Sequence, residues 1–308
     1  MGAQYNQLVV AQADATSGRA DLLPLGELLG LDASGDSAFT GMPHTGRPPL
    51  AFGGVTLAQA LLAAGRTVDG GRQPHSLHAY FLRPAAPQAP VSYEVERLRD
   101  GASYAARQVA ARQDGMTVLS LSASFKKPEN ALDHQSEMPG APAPDACEAP
   151  YQVMAREHPE RFAESVIPRA VDLRIVEADA DELAARAEGM SRRRCWLRAA
   201  RPLPDEPVLH AAALAYLSDL TISPTAALPW ESPGARRTRR PRVRLASLDH
   251  AMWFHRPARA DAWLLYAQHT TNLSDGRAMS RGELWSQDGQ LVASVLQEAL
   301  IRHRPATA

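Results

Sequence analysis

The chain has 308 residues, of which 45 % are hydrophobic and 22 % charged, an ordinary composition for a globular protein of one or two domains. The 33 lysines and arginines nearly balance the 34 acidic residues, and the net charge of −1 excludes a global positive field that would attract nucleic acid or an anionic membrane. No apolar stretch approaches the roughly 18–20 residues that span a bilayer, and the first residues lack the basic and apolar regions of a signal peptide.

The first clear element is a buried helix that opens at Gly53 and Gly54. Residues 55–64 are apolar at nearly every position, which indicates a helix surrounded by core on all sides. Strands follow, as in residues 117–125, where apolar and polar side chains alternate with a period of two.

A proline-rich segment follows these strands and includes the run Pro139–Pro144. Proline blocks regular helix and sheet, and few large apolar side chains are available there for a core. We therefore predict three parts: a first half with an N-terminal extension (1–128), a linker that crosses the surface (129–165) and a second half (166–308).

The second half contains another apolar helix, which His210 opens and which runs to Leu220. Asp219 is the only acid in it and lies near the C-terminal end, where a carboxylate opposes the helix macrodipole at a cost of about 0.3–1 kcal/mol. Burial also penalises the charged form of a carboxyl group and raises its pKa. An acid at this position needs a hydrogen-bond partner or a function, and a local cap for the next loop is the structural alternative.

Two further polar residues lie on predicted strands of the second half. Gln297 shares an apolar strand face with Val295 and Ala299, so its amide should form hydrogen bonds, either as a satisfied core residue or in a functional site. Ser247 shares a strand face with Asp249, and serine in a strand indicates nothing by itself. We interpret Asp249 as structural.

The two halves repeat each other. The string Leu77–Pro84 reappears as His250–Pro257 at an offset of 250 − 77 = 173, and two Asp-Gly pairs reappear at nearly the same offset. Such pairs between strands are typical of hairpin turns. A duplication explains these matches and predicts an α+β fold of two tandem halves, each with a curled antiparallel sheet wrapped around a central helix.

On these motifs the sequence resembles the acyl-CoA thioesterase II family, whose members have a double-hotdog fold. The segments that carry the resemblance include Phe52–Gly54, His75–Pro84, Tyr216–Asp219, Leu248–Pro257 and Leu291–Glu298. It covers residues 45–128 and 195–302, whereas the first 20 residues match no pattern that we can interpret.

The resemblance implies that Asp219, Ser247 and Gln297 hold a hydrolytic water, because family members use an aspartate, a threonine or serine, and a glutamine for this purpose. Acyl-CoA would be the substrate, with no cofactor, and the products would be a fatty acid and coenzyme A, in fatty acid metabolism. Hotdog sheets also offer flat surfaces for assembly, so we expect a homodimer or a larger oligomer.

The residue types suit this chemistry. A thioester carbonyl is a good electrophile, and the departing thiol has a pKa of about 8.5, so no covalent enzyme nucleophile is required. A carboxylate that orients and deprotonates water is sufficient, while a hydroxyl and an amide fix the remaining hydrogen bonds of that water. The backbone N–H groups of Gly53 and Gly54, at the start of a buried helix, are candidates to stabilise the oxyanion or to line the acyl pocket.

The two predicted helices are not equivalent. Asp219 lies nine residues after His210, and the residue nine positions after Phe52, the matching start in the first half, is Leu61. We therefore expect one active site per chain, carried by the second half, with the first half shaping the pocket.

Two other functions stay open. One is a hotdog enoyl-CoA hydratase, whose chemistry usually places a histidine beside the aspartate, with His210 nine residues away. The other is a non-catalytic module that binds acyl-CoA and uses Asp219 only structurally. Release of free thiol distinguishes the thioesterase from both alternatives.

Several familiar signals are absent from the sequence. There is no G-x-S-x-G elbow, no H-E-x-x-H or paired-cysteine motif and no G-x-G-x-x-G fingerprint, so we expect no serine hydrolase, no metal and no dinucleotide cofactor. Cys147 and Cys195 fit no disulfide framework, which favours a reducing, cytoplasmic location. The basic run Arg236–Arg244 is either a clamp for the phosphates of coenzyme A or a solvated loop.

Overall fold

The computed structural model describes residues 22–46, 50–69, 71–87, 89–231 and 242–304. The first half contains helices α1 (Leu25–Leu28) and α2 (Gly53–Gly65) and strands β1 (Asp32–Gly35), β2 (Ala38–Gly41), β3 (Gln73–Phe81), β4 (Val91–Asp100), β5 (Tyr104–Gln113) and β6 (Met116–Lys126). Helices α3 (Pro150–Glu157) and α4 (Glu160–Ala163) follow in the predicted linker.

The second half contains more elements than the first. Its helices are α5 (Ile167–Ala170), α6 (Ala180–Ala187), α7 (Pro207–Asp219), α8 (Ile222–Thr225) and α9 (Leu228–Glu231). Its strands are β7 (Val171–Ile175), β8 (Ser191–Ala199), β9 (Arg242–Ser247), β10 (Asp249–Phe254), β11 (Leu264–Ser274), β12 (Arg277–Ser286) and β13 (Leu291–Arg304). Among the helices of the described ranges, none is long and apolar enough to cross a membrane.

The described strands form one antiparallel sheet in the order β1-β2-β4-β5-β6-β3-β10-β13-β12-β11-β8-β7, with β9 also paired to β13. The halves join where β3 pairs with β10, and these strands carry the repeated string. His78 lies opposite Ala251 in this pairing, and the repeat offset relates the same two residues, because 251 − 78 = 173. A residue paired with its own counterpart lies on a two-fold axis, so the halves are related by an approximate two-fold rotation.

Helices α2 and α7 lie at the centre of one continuous core. They are buried from Gly54 to Ala64 and from Leu209 to Asp219 respectively. They run antiparallel, because each start meets the other helix's end: a Cβ atom on Gly54 would lie only 3.1 Å from the carbonyl oxygen of Tyr216, and a Cβ atom on Gly65 would meet the Val208 side chain. The absence of a side chain on Gly54 permits this close approach. The prediction of a buried helix in each half is confirmed.

The predicted hairpins are also present. Asp114 and Gly115 form the two-residue turn between β5 and β6, with φ values of 50° and 76°. Positive φ at both positions is the geometry of a type I′ turn, which favours this residue pair. Asp288 and Gly289 lie in the four-residue connection between β12 and β13, where only Gly289 has a positive φ, of 85°.

The prediction that residues 129–165 form a linker without regular structure is wrong in one respect, because the segment contains helices. Residues 127–143 contain no helix or strand and cross the second half, where the Gln135 side chain accepts a hydrogen bond from Leu291 N–H at 3.0 Å. Helices α3 and α4, however, occupy much of residues 150–163. Pro150 lies in the first turn of α3, where the N–H group that proline lacks would have no helical partner, so this proline does not prevent the helix.

The start of the second helix was also predicted wrongly. α7 begins at Pro207, so His210 lies within its first turn rather than opening it. Both central helices have 13 residues, and aligning their starts gives 219 − (207 − 53) = 65. The counterpart of Asp219 is therefore Gly65 and not Leu61, and the first half still lacks an acid at this position.

Candidate functional site

The three residues that the resemblance implies lie together. Ser247 Oγ donates a hydrogen bond to Asp219 Oδ1 at 3.3 Å, and Gln297 Nε2 lies 3.1 Å from the same oxygen and 2.9 Å from Ser247 Oγ. Ser247 at the end of β9 pairs with Ala299 of β13, and Gln297 precedes Ala299 by two residues, so it projects from the same strand face. The end of α7 brings Asp219 to this face.

Asp219 is a buried acid, with 6 % of its surface exposed. Burial is the largest influence on its pKa and raises it above the usual range for aspartate, because a low-dielectric interior disfavours the charged form. Nearby His250 and hydrogen bonds from Gln297, Ser247 and the backbone of Gly54 act in the opposite direction. A carboxylate with a raised pKa is a stronger base, which suits proton abstraction from water near neutral pH.

The start of α2 faces this acid. The Gly54 backbone lowers the pKa of the Asp219 carboxyl group, and a Cβ atom on Gly53 would lie 3.3 Å from Asp219 Oδ2. Phe52, the residue before the helix, provides no side-chain cap, so the N–H groups of the first turn depend on other partners. The positive end of the α2 macrodipole thus offsets the negative end of α7, and one half supplies the acid while the other supplies the N–H groups.

A buried histidine that the sequence analysis did not assign completes the cluster. His250 Nδ1 is hydrogen-bonded to Gln297 Oε1, and His250 Nε2 lies 2.9 Å from Ser218 Oγ. Burial is the largest influence on the pKa of His250 and lowers it, which favours the neutral ring. Ser223 of α8, also unassigned, has its Oγ 2.6 Å from Gln297 Nε2.

The approximate two-fold relation shows that this polar cluster belongs to one half only. Helix alignment pairs Ser218 and Asp219 with positions 64 and 65, since 207 − 53 = 154, and the strand repeat pairs His250 with 250 − 173 = 77. Residue 251 pairs with residue 296 of β13, and its counterpart, residue 78, pairs with residue 122 of β6. The offset between β13 and β6 is therefore 296 − 122 = 174, so Gln297 corresponds to residue 123. The four counterparts are Ala64, Gly65, Leu77 and Ala123. A leucine-to-histidine difference within the repeated string was the available signal for His250.

The remaining candidates lie elsewhere. Asp249 Oδ1 accepts a hydrogen bond from Glu298 N–H at 2.7 Å, consistent with a structural role. His210, in the first turn of α7, accepts a hydrogen bond from Ala260 N–H at 3.2 Å, so it lies at the opposite end of the helix from Asp219. Burial raises the pKa of Cys195 to about 11, which keeps its thiol protonated.

Most of the Arg236–Arg244 run lies outside the described residues. Arg244 is exposed on β9, and the backbone of Arg242 begins that strand. Within the part of the chain that the structure describes, no group of three His, Cys, Asp or Glu side chains is placed to hold a metal ion.

Comparison with known proteins identifies similar sequences and structures. A family model described as acyl-CoA thioesterase matches residues 170–300, and one described as acyl-CoA thioesterase N-terminal domain matches residues 43–126. Acyl-CoA thioesterase 2 of Haemophilus influenzae is 35% identical over 257 residues, which cover 82% of this chain and 87% of that protein.

Solved structures agree with these matches. The acyl-CoA thioesterase II TesB2 from Mycobacterium marinum has 38% sequence identity and a TM-score of 0.73, covering 91% of this chain and 98% of that chain. A hot dog fold protein from Alicyclobacillus acidocaldarius, at 24% identity and a TM-score of 0.70, covers 90% of this chain and 97% of that one and shares the fold.

Proposed function

The chain belongs to the acyl-CoA thioesterase family, and from this premise we propose that Asp219 activates the water that hydrolyses the thioester. The fold is the α+β double hotdog that the sequence predicts. The reaction is hydrolysis of an acyl-CoA thioester. The observation that carries the proposal is the convergence of Ser247, Gln297 and the start of α2 on one buried carboxylate.

The proposed reaction begins with a water that donates a hydrogen bond to Asp219. Ser247 and Gln297 hold the same water from their own side, which fixes its lone pair toward the thioester carbon. Asp219 takes a proton from the water as its oxygen bonds to that carbon, and the carbonyl oxygen becomes an oxyanion. Collapse of this intermediate breaks the carbon–sulfur bond, and the proton on Asp219 passes to the thiolate. This transfer leaves Asp219 ionised again, and the products are coenzyme A and a carboxylic acid, which loses its own proton to solvent.

The oxyanion needs hydrogen-bond donors in a site that excludes water. The backbone of Gly54 already acts on the Asp219 carboxyl group, so the neighbouring N–H group of Gly53 is our candidate donor. No partner of that group lies among the described residues. The position of Gly53 supports the assignment, because a Cβ atom on it would lie 3.3 Å from Asp219 Oδ2, and the attacking oxygen and the oxyanion must lie within a few ångströms of each other.

Family membership decides between the functions that the sequence left open, in favour of the thioesterase over the binding module and the hydratase. The position of His210 agrees with this, because a hydratase needs its histidine beside the acid. The described part of the chain holds no histidine that hydrogen-bonds to Asp219, and His250 reaches it only through Gln297.

We also propose that the enzyme uses no cofactor, acts on acyl-CoA in the cytoplasm and forms a homo-oligomer, while binding no nucleic acid. Two free cysteines support a reducing compartment. Tyr80 supports assembly, because it is 62% exposed on β3 at the centre of the sheet, and tyrosine is enriched in interfaces. Light scattering coupled to gel filtration tests the oligomer, and a monomer mass would refute it.

Single-turnover hydrolysis in H₂¹⁸O tests the water mechanism. With enzyme in excess over acyl-CoA, direct attack by water places one ¹⁸O in the fatty acid and none in the protein. Attack by the Asp219 carboxylate instead would form an anhydride, and hydrolysis of that anhydride at the Asp219 carbonyl carbon would leave ¹⁸O in the peptide that contains Asp219 and none in the fatty acid. Mass spectrometry of that peptide distinguishes the two routes, and label in the peptide would refute the proposal. Asp219→Asn is the control for turnover without the acid.

A further inference from the structure

Hydrogen bonds to both polar atoms of the Gln297 amide fix its orientation. Its Nε2 lies 3.1 Å from Asp219 Oδ1, and a carboxylate oxygen only accepts hydrogen bonds, so the NH₂ group faces the acid. The amide oxygen Oε1 then faces Nδ1 of His250. Because an amide oxygen also only accepts, His250 Nδ1 carries the hydrogen.

The rest of the hydrogen-bond chain follows from this tautomer. A neutral imidazole has one N–H group, so Nε2 of His250 is an acceptor for the Ser218 hydroxyl, 2.9 Å away, whose single hydrogen is shared with the Ala215 carbonyl oxygen, also at 2.9 Å. The hydrogen bonds thus run in one direction, from Ser218 through His250 and Gln297 to Asp219. In a buried chain of this kind each donor is polarised by the next, which strengthens the final bond to the carboxylate.

The fold itself does not require these buried polar groups. At the two-fold related positions of the first half, Ala64, Leu77 and Ala123 are buried in the same core and have no polar side-chain atoms. Burying polar groups costs free energy unless every one is satisfied, so an apolar set is the simpler solution to packing. The polar set occurs beside the acid and not at the related position, which indicates that its role concerns the reaction.

We propose that His250 is a positioning residue that holds the Gln297 amide with its NH₂ group toward Asp219 and Ser247, supported from behind by Ser218. This inference rests on the proposed roles of Asp219 and Gln297. While Asp219 is ionised, its carboxylate also selects this amide orientation. When Asp219 has taken the proton of the water, it becomes a donor and no longer does so, and His250 then holds the amide by itself.

Two substitutions separate this role from packing. His250→Leu copies Leu77, the residue that the related position of the first half accommodates, and removes the donor to Gln297. His250→Asn places an amide NH₂ group where Nδ1 was, because the two atoms are equally far along their side chains, and so restores the donor. His255→Leu is the matched control, since His255 is an exposed histidine of the same segment that is bound to Ser294 Oγ at 2.9 Å.

We expect His250→Leu to lower kcat about tenfold with KM nearly unchanged, because the lost interaction acts in the transition state. We expect His250→Asn to recover kcat to within about threefold of the unsubstituted enzyme and His255→Leu to leave it unchanged. A purely structural role would instead lower the melting temperature and show no rescue by asparagine. Equal loss in His250→Leu and His250→Asn, or full kcat in His250→Leu, would overturn the proposal.

A double-mutant cycle supplies a second test that does not depend on rescue. If His250 acts only through Gln297, then adding His250→Leu to Gln297→Ala lowers kcat no further. Multiplication of the two separate losses would contradict the proposal. Asp219→Asn is measured in parallel. If this variant keeps full activity, the proposed function itself fails. If it loses activity but the effects of the His250 and Gln297 substitutions are independent of each other, only the positioning role is refuted.

Discussion

A methyl group on Gly53 provides a sharp test of the contact between the two halves. Gly53→Ala would place its Cβ atom 3.0 Å from the Phe81 ring and 3.3 Å from Asp219 Oδ2. Ordinary carbon contacts lie at about 3.5–4.0 Å, so the ring must move by about 0.5–1.0 Å. The methyl group would also crowd the carboxylate oxygen on the side that faces the start of α2.

The expected effects on activity and stability differ in size. A misplacement of about 1 Å in an active site can cost about 100-fold in rate, and we expect kcat/KM of Gly53→Ala to fall by about that factor. Stability should change by less than about 1 kcal/mol, because crowding against a ring that can move is offset by the better helix propensity of alanine.

Gly65→Ala is the matched control at the other end of the same helix. Its Cβ atom would lie 2.1 Å from Val208 Cγ2, and valine is stiff at χ1, so the clash is not relieved by a simple rotation. We expect a loss of about 1–2 kcal/mol in the free energy of unfolding after the gain in helix propensity. The twelve intervening steps place this site about 18 Å from Gly53, so kcat/KM should be unchanged.

Urea titrations and initial rates of thiol release measure both variants. If the start of α2 belongs to the active site, Gly53→Ala loses activity and Gly65→Ala loses stability. Full activity of a folded Gly53→Ala, or an equal loss of activity in Gly65→Ala, would refute the reasoning.

Three further predictions concern single residues. Because burial raises the pKa of Asp219 in the folded state, the unsubstituted protein loses stability as pH rises through that pKa. The unfolding free energy of Asp219→Asn, compared with that of the unsubstituted protein at the same pH, should therefore increase from about pH 4 to pH 7. Urea titrations that show the reverse trend would contradict this. Ser247→Ala should lower kcat about tenfold, whereas kcat of Ser247→Thr should stay within about threefold of the unsubstituted enzyme because threonine keeps the hydroxyl. Equal kcat values for the two variants in steady-state assays would argue against a role for the contact with Asp219. Gln59→Leu should cost about 1–3 kcal/mol of unfolding free energy with no change in kcat, because the Tyr93 hydroxyl donates to its Oε1 at 2.7 Å and would lose that partner; thermal melting and thiol release check it, and a lower kcat would place Gln59 in the reaction.

The sequence predicted those features that depend on local periodicity. The apolar run after Gly53 specified a buried helix, and alternation along β13 placed Gln297 on the buried face, where the structure has it. Asp114-Gly115 specified its hairpin because few residue pairs adopt positive φ at both positions. The single acid in α7 was the strongest local signal for the site.

Features that depend on packing between distant elements could not be predicted in this way. The start of α2 lies beside Asp219 because α2 and α7 run antiparallel, which follows from the two-fold pairing of β3 with β10. Leu61 was assigned as the counterpart of Asp219 because an apolar run does not reveal where its helix begins. His250 stayed unassigned because its role appears only once it is seen to contact Gln297 from an adjacent strand.

Thiol release from acyl-CoA substrates of increasing chain length, by the unsubstituted enzyme and by Asp219→Asn, tests the central claim most directly. The account predicts thiol release by the unsubstituted enzyme on at least one chain length. It predicts a fall of about 100-fold or more in kcat for Asp219→Asn, with KM and the melting transition retained, because general-base catalysis typically contributes about 10²–10⁴-fold. A folded Asp219→Asn that releases thiol as fast as the unsubstituted enzyme would contradict it.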